Sequence, residues 1–272
     1  MSYGSQFILT LFTNDPELAR IADLAGVDRI GVDLECIGKE TRQGHLTTWI
    51  SDHSEADLAR IRPVLEHARL FARCNPVHEG SREEIDRLIA CGVEVIMLPF
   101  FKTVAEAEYF ISLLDNRAYP VLLVETAEAA AVTAALCRIR GVREIHIGLN
   151  DMRLSLGWPS QFHVLVSGFL DRLAGQVINA GLKLGIGGLG RTGDNQLPIP
   201  SDLVAAQLAR LGATASLVSR AFFRPPVPEN MQEEFRKLRA YLDQCASMSA
   251  EWHEARRAEL ASLVNQRFGL TN

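Results

Sequence analysis

The sequence predicts a single (β/α)8 barrel whose active site lies on the rim formed by the C-terminal ends of its strands. Three observations predict it. Eight short apolar runs recur along the chain, each followed by an amphipathic segment. Neighbouring runs in the middle of the chain are about 25 residues apart, the length of one strand, a loop, a helix and a return loop. The 272 residues and 47% apolar content are more than an ordinary domain needs and usual for an α/β barrel.

The runs cover residues 7–12, 29–32, 70–72, 94–98, 120–124, 144–147, 182–186 and 216–218. Most are continuous rather than alternating and rich in Val, Ile and Leu, which is the pattern of buried parallel strands. The helical segments agree. DPELARIADLAG opens on an Asp15 cap with Pro16 at the first helical position and stops at Gly26. SREEIDRLIACG carries Ser81 and Glu84 at capping-box spacing and stops at Gly92. TVAEAEYFISLLD and TAEAAAVTAALCRIRG follow the fourth and fifth runs. An open doubly wound sheet would produce most of the same pattern.

Two stretches exceed the repeating unit: residues 35–55, long and polar, and residues 187–202, rich in Gly and Pro. Both fall on the C-terminal rim, where long loops are often functional. Residues 1–224 form the barrel in this reading. Residues 225–272 add two helices, over 231–244 and 250–268, which either cap the same barrel or reach a neighbouring subunit.

Composition excludes several classes. The net charge is −5 with the two signs interleaved, which argues against a nucleic-acid surface. No apolar stretch reaches the roughly 18 residues of a membrane span, and the N-terminus has no signal-peptide pattern. The five cysteines form no CxxC pair, so reduced thiols in the cytoplasm are expected.

The residues just past the strand ends form a polar set: Asn14, Asp33, Glu35, Arg73, Asn75, residues 99–102 with Phe100 among them, Glu125, Asn150, Asp151, residues 187–191 with Gly187 and Gly188, Ser219 and Arg220. Glu125 and Asp151 end adjacent strands, one βα unit apart. Two carboxylates that close repel unless a proton or cation lies between them, and Mg²⁺ suits such a pair, with water and substrate oxygens completing its shell. The alternative is that each caps the helix that follows. Arg73 offers a planar fork to a carboxylate or enolate oxygen, or else a structural ion pair with Asp33 or Glu35. His45 and His53, in the long second loop, are candidate general bases or solvated loop histidines. GIGGLG at residues 185–190 has the letters of a dinucleotide fingerprint, but the RTGDNQLPIP that follows opens no helix, so that reading is rejected. A glycine-rich loop there would hold an anion with its amides or simply turn tightly.

The order of these pieces resembles the HpcH/HpaI aldolase and citrate lyase β-chain superfamily. The resemblance covers about residues 5–220 and rests on AGVDRIGVDLE, ARCNP, CGVEVIMLPFFKTVAEAE, VLLVETAEA and VREIHIGLNDMRLSLG. It implies a TIM barrel with Mg²⁺ or Mn²⁺ on Glu125 and Asp151, and Arg73 steadying the enolate of pyruvate or a related 2-keto acid. It implies carbon–carbon bond making or breaking through a metal-bound enolate, on a free keto acid with an aldehyde or on a thioester. It also implies terminal helices exchanged between subunits of a homo-oligomer. The chain departs from the pattern: Cys36 stands where the aldolases have a histidine and the lyases a second acid, and Leu123 stands where the aldolases have glutamine. Phe100 and Phe101 make that part of the pocket more apolar.

The reading is a divalent-metal lyase or aldolase in which Asp33, Glu35, Arg73, Phe100, Asn150, Gly187 and Gly188 contact substrate, and His45 or His53 moves the proton. A thioester lyase and a non-catalytic ligand-binding barrel are the rivals. A Schiff-base aldolase is a third; of the lysines Lys39, Lys102, Lys183 and Lys237, only Lys102 falls near the rim.

Overall fold

The computed structural model of the chain describes residues 1–38, 52–194, 196–225 and 229–269. Eight parallel strands close into a barrel in sequence order: β1 (Ile8–Phe12), β2 (Arg29–Asp33), β3 (Arg69–Arg73), β4 (Val95–Leu98), β5 (Tyr119–Val124), β6 (Glu144–Ile147), β7 (Lys183–Leu189) and β8 (Ala215–Val218), with β8 paired to β1. Every predicted run is a strand, and the closed sheet decides against the open alternative.

The helices follow in chain order: α1 (Tyr3–Gln6), α2 (Pro16–Leu24), α3 (Glu55–Ile61), α4 (Ser81–Ala90), α5 (Val104–Leu114), α6 (Ala127–Ala131), α7 (Thr133–Leu136) and α8 (Leu149–Ser155). After these come α9 (Gln161–Val166), α10 (Gly168–Asn179), α11 (Ser201–Arg210), α12 (Met231–Ala246) and α13 (Ala250–Phe268). Asp15 caps α2 through its side chain, with Pro16 at the first position, as its sequence predicts. The capping box expected at Ser81 does not form. Gly80 is the cap of α4, Ser81 Oγ bonds His78, and Glu84 turns away from the helix to accept from the Asn75 amide and side chain at 3.0 and 2.9 Å. Tertiary contact has taken the side chain that local pairing would have used.

The strands are buried on both faces, as the continuous runs predict, and their side chains divide between two cores. Ile30, Val32, Leu70, Ala72, Ile96, Leu98, Leu122, Val124, Ile145 and Ile147 belong to the core between sheet and helices. Phe71, Val95, Met97, Val121 and Leu123 form a separate cluster with Phe12 and Tyr119. Adjacent residues of a strand therefore belong to different cores, as a two-residue side-chain period requires. Where both cores take apolar residues, as in β4 and β5, the period is invisible in sequence. It shows in β2, β3 and β6, whose polar residues Arg29, Asp33, Arg73, Glu144 and His146 all lie on the face opposite the aliphatic ones.

Near the strand starts Arg29 donates to both oxygens of Glu144 at 2.8 and 2.7 Å, with 4% and 1% of the two side chains exposed. Gly31 lies above this pair on β2. A Cβ there would meet the Phe71 carbonyl oxygen at 1.6 Å, so β2 and β3 approach closely only because residue 31 has no side chain. Of the Gly-rich segment expected as a loop after the seventh strand, only Gly187, Gly188 and Leu189 belong to β7, with a register irregularity between Gly185 and Gly188. Gly187 takes a φ of +47° at this bulge, a conformation that favours glycine.

The two C-terminal helices pack on the chain's own barrel. α12 lies against α1, α2 and α11, and α13 against α9 and α11. Phe235 of α12 stacks on Phe222 just past β8, with ring centroids 4.3 Å apart. No helix among the described residues is long and apolar enough to cross a membrane.

Breaking a buried ion pair leaves an uncompensated charge, whereas replacing both partners with apolar groups removes the cost. Arg29→Met is therefore expected to lower unfolding stability by about 3–5 kcal/mol in urea titrations, and Arg29→Met with Glu144→Leu to recover most of it. Equal losses in the single and double variants would contradict this account.

Candidate active site

A cavity of about 470 Å³ opens at the C-terminal ends of the strands. Its wall includes Phe12, Asp33, His53, Arg73, Leu123, Glu125, His146, Gly148, Gly187, Gly188, Ser219 and Arg220. Side chains of one face reach it from β2, β3, β5 and β6, so the period that hides in the sequence builds the site.

Arg73 is held from two sides. Its Nε and Nη2 donate to the two oxygens of Asp33 at 2.8 and 2.7 Å, and Nη2 lies 3.2 Å from Glu35 Oε2. The guanidinium sits over the Phe12 ring, 5.3 Å from its centre. The two carboxylates raise its pKa against burial, so it stays charged. They occupy Nε and Nη2, and Nη1 is the part of the fork left to meet a ligand oxygen. The ion pair proposed from sequence and the ligand-facing role are thus compatible. Glu35 is buried behind Arg73 and does not line the cavity.

Glu125 follows β5 and is only 3% exposed. Its Oε1 accepts from the Phe100 amide at 3.0 Å. Phe100 has a φ of +48°, rare for a bulky residue, and this backbone conformation carries the amide that meets the carboxylate. Gly148, just past β6, makes room: a Cβ there would lie 2.8 Å from Glu125 Oε2. Burial pushes the Glu125 carboxyl well up, and Asp151 and Glu35 add to the shift, against an opposing pull from Arg73.

Asp151 stands in the first turn of α8. It lines a second hollow of about 230 Å³ with Phe100, Lys102, Thr126, Glu128, Leu154 and Ser155. Glu125 lines the first cavity and bonds the Phe100 amide, while Phe100 itself lines the hollow that holds Asp151. Phe100 fronts the second hollow rather than the first. Asn150 lines neither, and its Oδ1 accepts from Arg153 Nε at 3.4 Å. Lys102 pairs with Glu128 at 3.0 Å. His45 lies outside the described residues.

The Asp33 amide donates to His53 Nδ1 at 3.0 Å. An amide cannot accept, so Nδ1 carries no proton and the neutral ring is protonated at Nε2. Burial lowers the His53 pKa, against the opposing charges of Asp33, Asp52 and Asp57. The ring is consequently a donor in its neutral form, which revises the general-base role expected from sequence. His146 was not singled out from sequence, yet it faces the same cavity. Burial pulls its pKa down to about 4, and its Nε2 donates to the Gly187 carbonyl at 3.4 Å. The alternation in EIHIG was the available signal, since it puts His146 on the same face as Glu144.

The donor set fits a hard divalent cation. Glu125 and Asp151 supply charged oxygens, and a buried carboxylate raised by neighbouring carboxylates is relieved by positive charge. Among the described residues no three His, Cys, Asp or Glu side chains are grouped to hold a metal. Water or substrate oxygens would supply the remaining positions, as is common for Mg²⁺.

Among solved structures, the chain is similar to an HpcH/HpaI aldolase/citrate lyase family protein from Burkholderia cenocepacia J2315. The TM-score is 0.61 and the identity 17%, over 89% of this chain and 96% of that one. An HpcH/HpaI aldolase from Desulfitobacterium hafniense DCB-2 matches with a TM-score of 0.60 and 15% identity, over 79% and 86%. The citrate synthase SbnG matches at 0.59 and 17%, over 88% and 93%. These likenesses establish the TIM-barrel fold. No protein-family model and no curated protein sequence matches the chain.

An acid whose pKa is raised by folding leaves the fold fully stable below the unfolded pKa and costs it stability as pH rises toward the folded value. In chelator-treated protein, Glu125→Gln is therefore expected to melt above wild type at pH 8, with the gap closing as pH falls toward the ordinary glutamate value of 4.5. A gap that persisted at pH 4 would show that the burial of charge is not its cause.

Proposed function

We propose that the chain is a carbon–carbon lyase or aldolase of the HpcH/HpaI aldolase and citrate lyase superfamily, acting on the enolate of pyruvate or a related 2-keto acid with an aldehyde partner. One observation carries the reading: a doubly braced arginine and a buried, cation-seeking carboxylate face one cavity at the C-terminal end of a TIM barrel. The structural likenesses to HpcH/HpaI proteins support it, as do the sequence elements around Arg73, Glu125 and Asp151.

Glu125 and Asp151 would hold Mg²⁺ or Mn²⁺. When bound, the cation makes the C–H beside a keto group more acidic and stabilises the charge that develops on its oxygen. Arg73 Nη1 meets the same oxygen or the adjoining carboxylate, and Asp33 and Glu35 keep the fork from turning away. Because the fork is braced before substrate arrives, no reorganisation is needed as charge develops. Neutral His53 donates an Nε2–H hydrogen bond to the oxygen of the aldehyde partner as the new bond forms, and the proton that this oxygen takes up comes from solvent. His45 remains the sequence candidate for taking the C–H proton. Phe12, Leu123 and Leu149 give the cavity apolar walls, which strengthen these charge interactions by excluding water.

α13 buries only Leu260 and Val264 along its 19 residues, which supports assembly of copies through the C-terminal helices. A light-scattering mass equal to the 30.0 kDa monomer would remove that assembly.

Proton exchange at the pyruvate methyl group, followed by NMR in D2O, tests the chemistry. Exchange is expected with Mg²⁺ or Mn²⁺, to stop with chelator, and to fall by about 10²–10³-fold in Glu125→Gln and in Arg73→Lys. Exchange that ignores chelator, or a Glu125→Gln protein as fast as wild type, would defeat the proposal.

A further inference from the structure

The opposite end of the barrel has a charge arrangement that the proposed chemistry does not use. At the strand starts, one aromatic ring is surrounded by cations. Arg29, Arg69, Arg143 and Lys183 lie 5.2, 5.4, 5.8 and 5.8 Å from the centre of the Tyr119 ring. Two carboxylates answer them: Glu144, bound to Arg29, and Glu94, 3.6 Å from Arg69. Arg143 and Lys183 have no ion pair among the described residues, and both are exposed. The cluster therefore carries two positive charges in excess. A depression of about 490 Å³ adjoins it, lined by Arg69, Glu94, Arg117, Tyr119 and Arg143 among others.

A barrel's N-terminal face ordinarily serves stability, and the buried Arg29–Glu144 pair does so here. Arg143 and Lys183 do not fit that role. Their charged groups are in solvent, where nothing requires them to converge. A single ring attracts a cation, but four like charges around it repel one another. A ligand of opposite charge removes the repulsion, and guanidinium forks match the oxygens of phosphate or carboxylate groups in pairs.

We propose that the N-terminal mouth of the barrel binds a small dianion, a phosphate monoester or a dicarboxylate, between Arg69, Arg143 and Lys183 over the Tyr119 ring. The site is separate from the active site. Arg69 and Arg73 are four residues apart on β3, roughly 13 Å at the rise of a strand. The inference does not depend on the proposed lyase chemistry.

The test is the thermal midpoint of the full chain, in chelator, titrated with inorganic phosphate and separately with malonate, against chloride at matched ionic strength. A ligand that binds only the folded state raises the midpoint saturably. Wild type is expected to respond to phosphate, malonate or both, and the two arms identify the ligand class. Arg143→Gln with Lys183→Gln is expected to need at least about tenfold more ligand for the same rise, while Arg143→Lys keeps most of the response. Arg73→Lys, at the other end, is expected to respond like wild type. A chloride response equal to the dianion response, an unchanged response in the Arg143→Gln and Lys183→Gln double variant, or a response lost in Arg73→Lys would each overturn the proposal.

Discussion

A strand in a closed barrel has two buried faces, and successive side chains must alternate between them. That constraint decides where every polar group of this protein goes. The residues of β2, β3, β5 and β6 that point toward the helices are aliphatic without exception. The polar ones are confined to the other face and so converge along the barrel axis. Arg29 and Glu144 meet at one end; Asp33, Arg73, Glu125 and His146 gather at the other. The same alternation thus produces a stabilising pair and a reactive cavity from a few strands.

The two ends handle buried charge differently. Arg29 and Glu144 satisfy each other with two short hydrogen bonds and leave little charge unanswered. At the cavity, the Arg73 fork is shared between Asp33 and Glu35, and Glu125 remains in excess. Its burial among Asp151 and Glu35 disfavours the ionised form, so the fold is less stable at neutral pH than a neutral residue there would make it. Such local cost is characteristic of sites shaped for a ligand.

Backbone geometry completes the cavity. Gly148 has no Cβ to strike Glu125, Gly187 takes a left-handed turn within β7, and Phe100 is held at positive φ where its amide reaches the carboxylate. The Asn75 side chain accepts from the Cys36 and Ile37 amides at 3.0 Å, while Glu84 accepts from Asn75. Through these bonds α4 anchors the start of the long loop after β2, beside the acids that brace Arg73.

Much of this was legible in the sequence. Eight apolar runs, the middle ones about 25 residues apart, specify eight βα units, because a buried parallel strand and its covering helix each need a characteristic length of apolar pattern. Glu125, Asp151, Arg73 and Asp33 stood out because a charged residue at the end of such a run must lie at a strand end. What one residue's neighbours in space would be was not legible. Asn150 reads like Asp151 in sequence, yet bonds Arg153; Glu35 reads as a ligand contact, yet sits behind Arg73; and His146 hid inside a strand. The sequence by itself determined the number of units, their order and the rim on which the charged residues stand, since these follow from local periodicity along the chain. Only the tertiary structure decided which side chains share a cavity, which nitrogen of His53 carries the proton and how Arg73 is braced. Those depend on strand register and barrel closure, which bring together residues far apart in the chain.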